Sequence, residues 1–210
     1  MRTWGGARKG AGRKPSDERA GVSHLRRSVL TARFPVHVTL RMLPHVWNLR
    51  SLRSFRVFRT AITAAAERFG MRVCAFSVQG NHLHLLIEAL DRGALTRGMK
   101  GLGVRLAKGL NKLMGRRGRV LADRYHDHVL RTPSEVARAM NYVHRNREHH
   151  LGDRAGRLPA GYVDPYSSAC AAHGVVLPEP RSWLLNQSAR VVEDVTRRRR
   201  RGSRAPEESR

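Results

Sequence analysis

Acidic residues are scarce in this chain: 16 Asp and Glu stand against 41 Lys and Arg, a formal net charge of +25 at pH 7 over 210 residues. Cysteine is also scarce, and Cys74 and Cys170 give no sign of a disulfide framework or a zinc finger. No apolar run approaches the roughly 18 residues that a membrane span needs, and the N-terminus has no apolar signal region. We therefore expect a cytoplasmic protein with no membrane partner. The scarcity of acids predicts a polyanionic partner, most directly nucleic acid bound through salt-sensitive phosphate contacts.

Basic segments lie at both ends of the chain. Residues 1–30 are predicted to be a flexible arm, because the Gly-rich and cationic run 6–15 has nothing to bury. Residues 31–150 are predicted to form the folded domain, and residues 151–210 a C-terminal extension with a basic disordered tail. A solvated tail is the simpler interpretation at either end. We expect DNA contact from the arm through the cations Arg8, Lys9, Arg13 and Lys14.

The middle of the chain predicts an α+β fold. Strands are expected at 35–41, 72–78, 80–88 and 124–131, and helices at 51–69 and 94–114. This β-α-β-β-α-β order predicts the ferredoxin-like split βαβ arrangement, an antiparallel sheet with helices on one face and the other face free. The first helix is expected to bury Leu52, Phe55, Phe58, Ile62 and Phe69. The second offers cations opposite its apolar stripe, either for DNA or as an ordinary solvated face: Arg105, Lys108 and Lys112.

A histidine pair marks the third predicted strand. Successive side chains of a strand point to opposite faces, so His82 and His84 share one face while Leu83, Leu85 and Ile87 share the other. Neutral imidazoles are common metal ligands, and the pair could hold a divalent ion. Histidines also occur on ordinary surface strands, so the motif alone is weak.

A second histidine pair, His126 and His128, alternates in the same way in the fourth predicted strand. It competes as a metal pair, although we interpret it as phosphate-contacting or structural. Tyr125, beside it, is an alternative nucleophile to the tyrosine of the last helix.

That last helix is predicted to start at a capping box over Thr132–Glu135 and to run to about His149. Its helical wheel separates an apolar face from a face with Tyr142 and Asn146 among cations. A phenol beside cations and a metal is a plausible nucleophile toward a phosphodiester. The apolar face contains Val136, Ala139, Met140 and Val143, and the cations include Arg138 and Arg145.

Three motifs together carry a resemblance to a known family: residues 80–88 (Gly-Asn-His-Leu-His-Leu-Leu-Ile-Glu), residues 124–129 (Arg-Tyr-His-Asp-His-Val) and residues 142–146 (Tyr-Val-His-Arg-Asn). Over residues ~35–150 the chain resembles the HUH single-tyrosine transposases of the insertion-sequence type, most closely the REP-associated tyrosine transposases. Each motif alone is weak, and their combination and order are specific. REP-associated members commonly have Asn-Pro at the end of the third motif, where this chain has Asn146 followed by Arg147.

The resemblance implies cleavage and transfer of single-stranded DNA near a hairpin. Tyr142 would form a 5′-phosphotyrosine and release a 3′-hydroxyl, and His82 and His84 would hold Mg²⁺ or Mn²⁺. Asn146 stands where insertion-sequence members have Gln and would complete the metal site, directly or through water. The protein would be a monomer or a homodimer. The residues expected to contact DNA are Arg8, Lys9, Arg13, Lys14, Arg105, Lys108, Lys112, Arg124, His126, His128, Arg138 and Arg145.

Two other functions remain compatible with the sequence. One is a nucleic-acid-binding protein that keeps the fold without catalysis, which the charge fits equally well. The other is a nickase related to replication initiators or relaxases, which usually place the tyrosine differently.

Overall fold

The computed structural model describes residues 27–151, 158–159 and 161–187. The predicted N-terminal arm, with its four expected DNA-contacting cations, lies outside these residues except for its last four positions, and so does the basic C-terminal tail. None of the helices in the described residues combines the length and apolarity needed to cross a bilayer.

A five-stranded antiparallel sheet forms the centre of the fold, in the order β2-β3-β4-β1-β5. Without the two-residue β2, the remaining order is that of the ferredoxin-like arrangement, and the predicted α+β fold is confirmed. The strands are β1 (Val36–Arg41), β2 (Glu67–Arg68), β3 (Met71–Val78), β4 (His82–Ala89) and β5 (His126–Val129).

Three long helices lie within the described residues: α1 (Leu52–Thr63), α2 (Arg92–Leu113) and α3 (Pro133–Leu151). The side chains of Ser51 and Asp91 cap α1 and α2 by accepting backbone N–H bonds. The capping box of α3 is present, because Thr132 Oγ1 accepts from Glu135 N at 3.2 Å and Glu135 Oε2 accepts from Thr132 N at 3.2 Å.

The first helix is shorter than predicted, and a tight hairpin replaces its last turn. Phe69 and Gly70 have φ values of 57° and 75°, and β2 pairs with β3 on either side of them. Two consecutive positive φ angles are the signature of a two-residue type I′ turn. Phe69 is therefore 51% exposed and Leu52 is 74% exposed, so the prediction of both as core residues was wrong.

The sheet separates two hydrophobic cores. Side chains from α1 and α2 pack with Val38, Leu85 and their neighbours on one face. On the opposite face α3 packs through its predicted apolar stripe against Leu86 of β4. The face that carries the histidines is thus partly covered by the last helix.

Residues 161–187 are anchored to the same domain. Arg50 makes two 2.8 Å hydrogen bonds to the carboxylate of Asp164. The buried carboxylate of Glu88 accepts backbone N–H bonds from Arg181 and Ser182. A short helical turn then places Leu184 and Leu185 in the core beneath α3.

Candidate active site

One face of the sheet carries polar side chains on three adjacent strands. In the antiparallel register Thr39 of β1 stands opposite His84 of β4 and His126 of β5. Directly paired residues share a face. The register therefore places on this face His37, Thr39, Arg41, His82, His84, His126 and His128.

The predicted pair comes together as expected. The rings of His82 and His84 are 4.9 Å apart between centroids and nearly perpendicular. Nδ1 of His82 lies 2.8 Å from Oδ1 of Asn81. Because a carbonyl oxygen only accepts, Nδ1 donates, and in neutral His82 the lone pair is on Nε2, where it can ligate a metal.

A third imidazole, that of His37, adjoins the pair and was not predicted. Its Nε2 lies 3.1 Å from Nδ1 of His84, and the two rings stack at 5.2 Å. Burial, together with the nearby His128 and His126, lowers the pKa of His37 to about 4. His37 is therefore neutral near pH 7.

Tyr142 reaches this group from α3. Its ring stands edge-on to His84 at 5.2 Å and to His37 at 5.9 Å. The helix packs over the sheet through its apolar stripe and turns the ring of Tyr142 toward the histidines.

Asn146 follows Tyr142 by one helical turn and is fully buried. Neither its Oδ1 nor its Nδ2 has a hydrogen-bond partner among the described residues. A buried amide without partners costs about 1–3 kcal/mol. The helix is also irregular here, since Arg145 has the non-helical angles φ −105° and ψ 15°.

Within the described ranges no cluster of three or more His, Cys, Asp or Glu side chains could hold a metal ion. A metal at His82 and His84 would therefore need other oxygen donors, such as the amide of Asn146, water or substrate phosphate. Mg²⁺ commonly keeps several waters and takes substrate phosphates as ligands.

The alternative nucleophile lies elsewhere. Tyr125 precedes β5 rather than lying within it, and its ring packs with the α1–α2 core. Arg27 covers that ring at 3.6 Å from its centroid. The sheet thus separates Tyr125 from the histidine pair, whereas His126 and His128 are exposed on the pair's own face beyond β1.

The predicted cations fall into separate groups. Arg105, Lys108 and Lys112 belong to α2, behind the sheet from Tyr142, and Arg105 donates to Gly101 O of its own helix. Arg124 is exposed beside β5 and Arg138 on α3. Arg145 is paired with Glu148.

Strand alternation predicts the face on which His37 lies, but it does not predict that His37 adjoins His84. Alternation in β1 places His37, Thr39 and Arg41 on one face. The order of strands in the sheet, which brings β1 beside β4, is a long-range property that alternation does not provide.

The chain matches no family model and no curated protein. Among solved structures it is similar to a REP-associated tyrosine transposase bound to a REP hairpin, with 16% identity and a TM-score of 0.48 over 76% of this chain and 99% of that one. It is also similar to a bacterial tRNA(His) guanylyltransferase-like protein in complex with GTP, with 12% identity and a TM-score of 0.46 over 63% of this chain and 70% of that one. These values concern the arrangement of helices and strands and assign no activity.

Proposed function

We propose that this protein cleaves single-stranded DNA and transfers the cut strand through a covalent tyrosine intermediate, in a metal-dependent reaction. The observation that carries the proposal is the position of Tyr142, whose ring stands against His84 at 5.2 Å on the face that also holds His82. A candidate nucleophile from a helix and a candidate metal pair from a strand thus meet, although they are far apart in the sequence.

The reaction is a transesterification on Tyr142. Its phenol oxygen attacks the phosphorus and loses its proton, the bond from phosphorus to the 3′ oxygen breaks, and that oxygen takes up a proton. The products are a 5′-phosphotyrosine and a 3′-hydroxyl. A 3′-hydroxyl from another end reverses the step and joins the strands without an external energy source.

The residues present fit a Mg²⁺ or Mn²⁺ ion. His82 presents Nε2 through its contact with Asn81, His84 adjoins it, and Asn146 is a buried amide that lacks partners among the described residues. A bound divalent ion would polarise the phosphate and neutralise its developing charge.

DNA with a hairpin is the proposed substrate. The net charge of +25 supports a polyanionic partner, and the three-motif resemblance to REP-associated tyrosine transposases points to hairpin DNA. The proposed reaction moves a DNA element. The protein is proposed to act as a monomer or a homodimer.

A binding protein without catalysis is the second candidate. The finding that favours it is that, in the described residues, no group of three or more His, Cys, Asp or Glu side chains is placed to hold a metal ion. Such a protein would bind the same DNA tightly and form no covalent product.

Covalent trapping distinguishes the two functions. Labelled hairpin DNA from the region flanking the gene is incubated with the protein and Mg²⁺ or Mn²⁺, and the products are separated on a denaturing gel. We expect an adduct that disappears with EDTA and in Tyr142→Phe but persists in Tyr125→Phe, the matched control behind the sheet. Tight binding without an adduct across several hairpins would favour the binding protein, and an adduct in Tyr142→Phe would refute the choice of nucleophile.

A further inference from the structure

His37 lies at the centre of the polar face, in the middle strand of three. Its register partners are Leu86 of β4 and His128 of β5. From this position it contacts His84 through a ring nitrogen at 3.1 Å and Tyr142 through its ring at 5.9 Å between centroids. His37 thus adjoins both a candidate metal ligand and the candidate nucleophile.

The contact between His37 and His84 allows two hydrogen-bond directions with opposite consequences. If Nε2–H of His37 donates, Nδ1 of His84 holds the lone pair, and Nε2 of neutral His84 carries a proton and cannot ligate a metal. If instead Nδ1–H of His84 donates, its Nε2 holds the lone pair and is the ligating nitrogen.

Thr39 contacts the same ring nitrogen and is compatible with the second direction. Its Oγ1 lies 3.2 Å from Nδ1 of His84, and because a hydroxyl both donates and accepts, it can share the Nδ1–H of His84 with Nε2 of His37. The second direction is also the one that a metal at Nε2 of His84 requires. Metal-bound histidines typically donate their second N–H to such a partner, which fixes both the tautomer and the ring orientation.

We propose that His37 is a positioning residue that accepts the Nδ1–H of His84, so that Nε2 of His84 is held ready for the metal while the ring of His37 supports Tyr142. The stacking of the two imidazoles at 28° and the edge-on approach of Tyr142 at 69° to His37 give this arrangement its geometry. The inference rests on the proposed function for its metal, whereas the tautomer of His84 is a property of the metal-free protein.

Two variants isolate the role. His37→Phe keeps a ring of similar size beside Tyr142 and removes the acceptor. His37→Asn restores an acceptor oxygen without the ring. Thermal unfolding of both shows whether they fold as the wild type does, and the variant that folds carries the test.

The first measurement is the ¹⁵N spectrum of the histidine side chains in the full-length, metal-free protein. We expect His84 to be protonated at Nδ1 in the wild type, and to become a mixture of tautomers in His37→Phe that His37→Asn partly reverses. A wild-type His84 protonated at Nε2 would overturn the proposal, and so would an unchanged tautomer in a folded His37→Phe.

The second measurement is Mn²⁺ binding without DNA, followed by electron paramagnetic resonance. Loss of such a second partner typically weakens metal binding by about 10–100-fold, and we expect a loss in that range for His37→Phe with a smaller loss for His37→Asn. Equal affinity of wild type and His37→Phe would contradict the role of His37. If the wild type binds no Mn²⁺ and forms no adduct, the proposed function fails, and the ¹⁵N spectrum still decides the hydrogen-bond direction.

Discussion

Asn146 combines complete burial with an amide that has no hydrogen-bond partner among the described residues. Its cost to folding makes sense if the amide serves a ligand, because functional groups are often retained at the expense of stability. The same helix supplies Tyr142 one turn earlier. Function and stability should therefore respond in opposite directions to the loss of this amide.

Replacing Asn146 with Leu, which is similar in size, tests this opposition. We expect the free energy of unfolding in EDTA to stay the same or to rise by about 1 kcal/mol, measured by urea denaturation, while metal-dependent adduct formation falls at least tenfold. A decrease in stability of more than about 1 kcal/mol would mean that the amide is satisfied in the native protein.

Asp164 provides a contrasting residue whose role is structural. It is 2% exposed and holds Arg50 through two hydrogen bonds, and Arg50 also donates to Val78 O. Removing one partner of a buried pair leaves the other charge without compensation.

We therefore expect Asp164→Ala to lower the free energy of unfolding by about 3 kcal/mol. The control is Arg145→Ala, which breaks a pair in which Arg145 is 47% exposed and should cost less than about 1 kcal/mol. Chemical denaturation of both variants gives the comparison, and similar losses would contradict the assignment of Asp164 as the anchor of residues 161–187.

At the scale of secondary-structure elements, a glycine of α2 sets the distance between this helix and β3. A Cβ built on Gly98 would lie 2.4 Å from Sδ and 2.8 Å from Cβ of Met71 in β3. A Cβ on Gly101 would meet only the end of Arg105 at 3.2 Å and Phe69 at 3.6 Å. Replacement of glycine with alanine should thus change the stability of the protein in opposite directions at these two positions of α2.

For Gly98→Ala we expect destabilisation by about 1–3 kcal/mol through overpacking, and for Gly101→Ala no loss or a gain of up to about 1 kcal/mol from helix propensity. Thermal unfolding monitored by circular dichroism checks both. Equal effects would show that the spacing between α2 and β3 adjusts freely.

Periodicity predicted most of these elements and missed those that depend on distant contacts. The apolar positions Leu95, Met99 and Leu102 specify α2 directly, and the capping box specifies the start of α3. By contrast, the turn at Phe69 and Gly70 needs two positive φ angles. The apolar spacing of residues 51–69 fits a helix and does not indicate that turn. The approach of His37 to His84 depends on strand order. Local patterns were thus sufficient to select His82, His84 and Tyr142 as candidates. They were not sufficient to predict that His37 lies beside them.

At the scale of the whole molecule, the proposed binding of DNA depends on the net charge of +25. Deletion of residues 1–26 keeps the contacts that begin the described part of the chain, since Arg27 pairs with Asp127 at 3.2 Å and Leu30 is buried. Deletion through residue 26 therefore separates the contribution of the basic arm from that of the folded domain.

We expect this deletion to weaken binding of single-stranded DNA and to reduce the slope of log K against log salt. The four predicted contacts, at roughly 0.7 each on single strands, would reduce its magnitude by roughly 3. Fluorescence anisotropy over a salt series measures the slope, with circular dichroism as the check on folding. An unchanged slope would show that the arm makes no phosphate contacts.

The sheet gives the molecule two sides, with Tyr142 on one and the cations of α2 on the other. A bound strand that touches both sides cannot run straight between them, because a sheet and a helix layer together are roughly 20 Å thick. The exposed His126 and His128 lie on β5, at one edge of the sheet. A bound DNA strand would turn at this edge. The footprint of this protein on DNA would then be a bend around a rim, with two protected stretches and a sharply curved, reagent-accessible stretch between them.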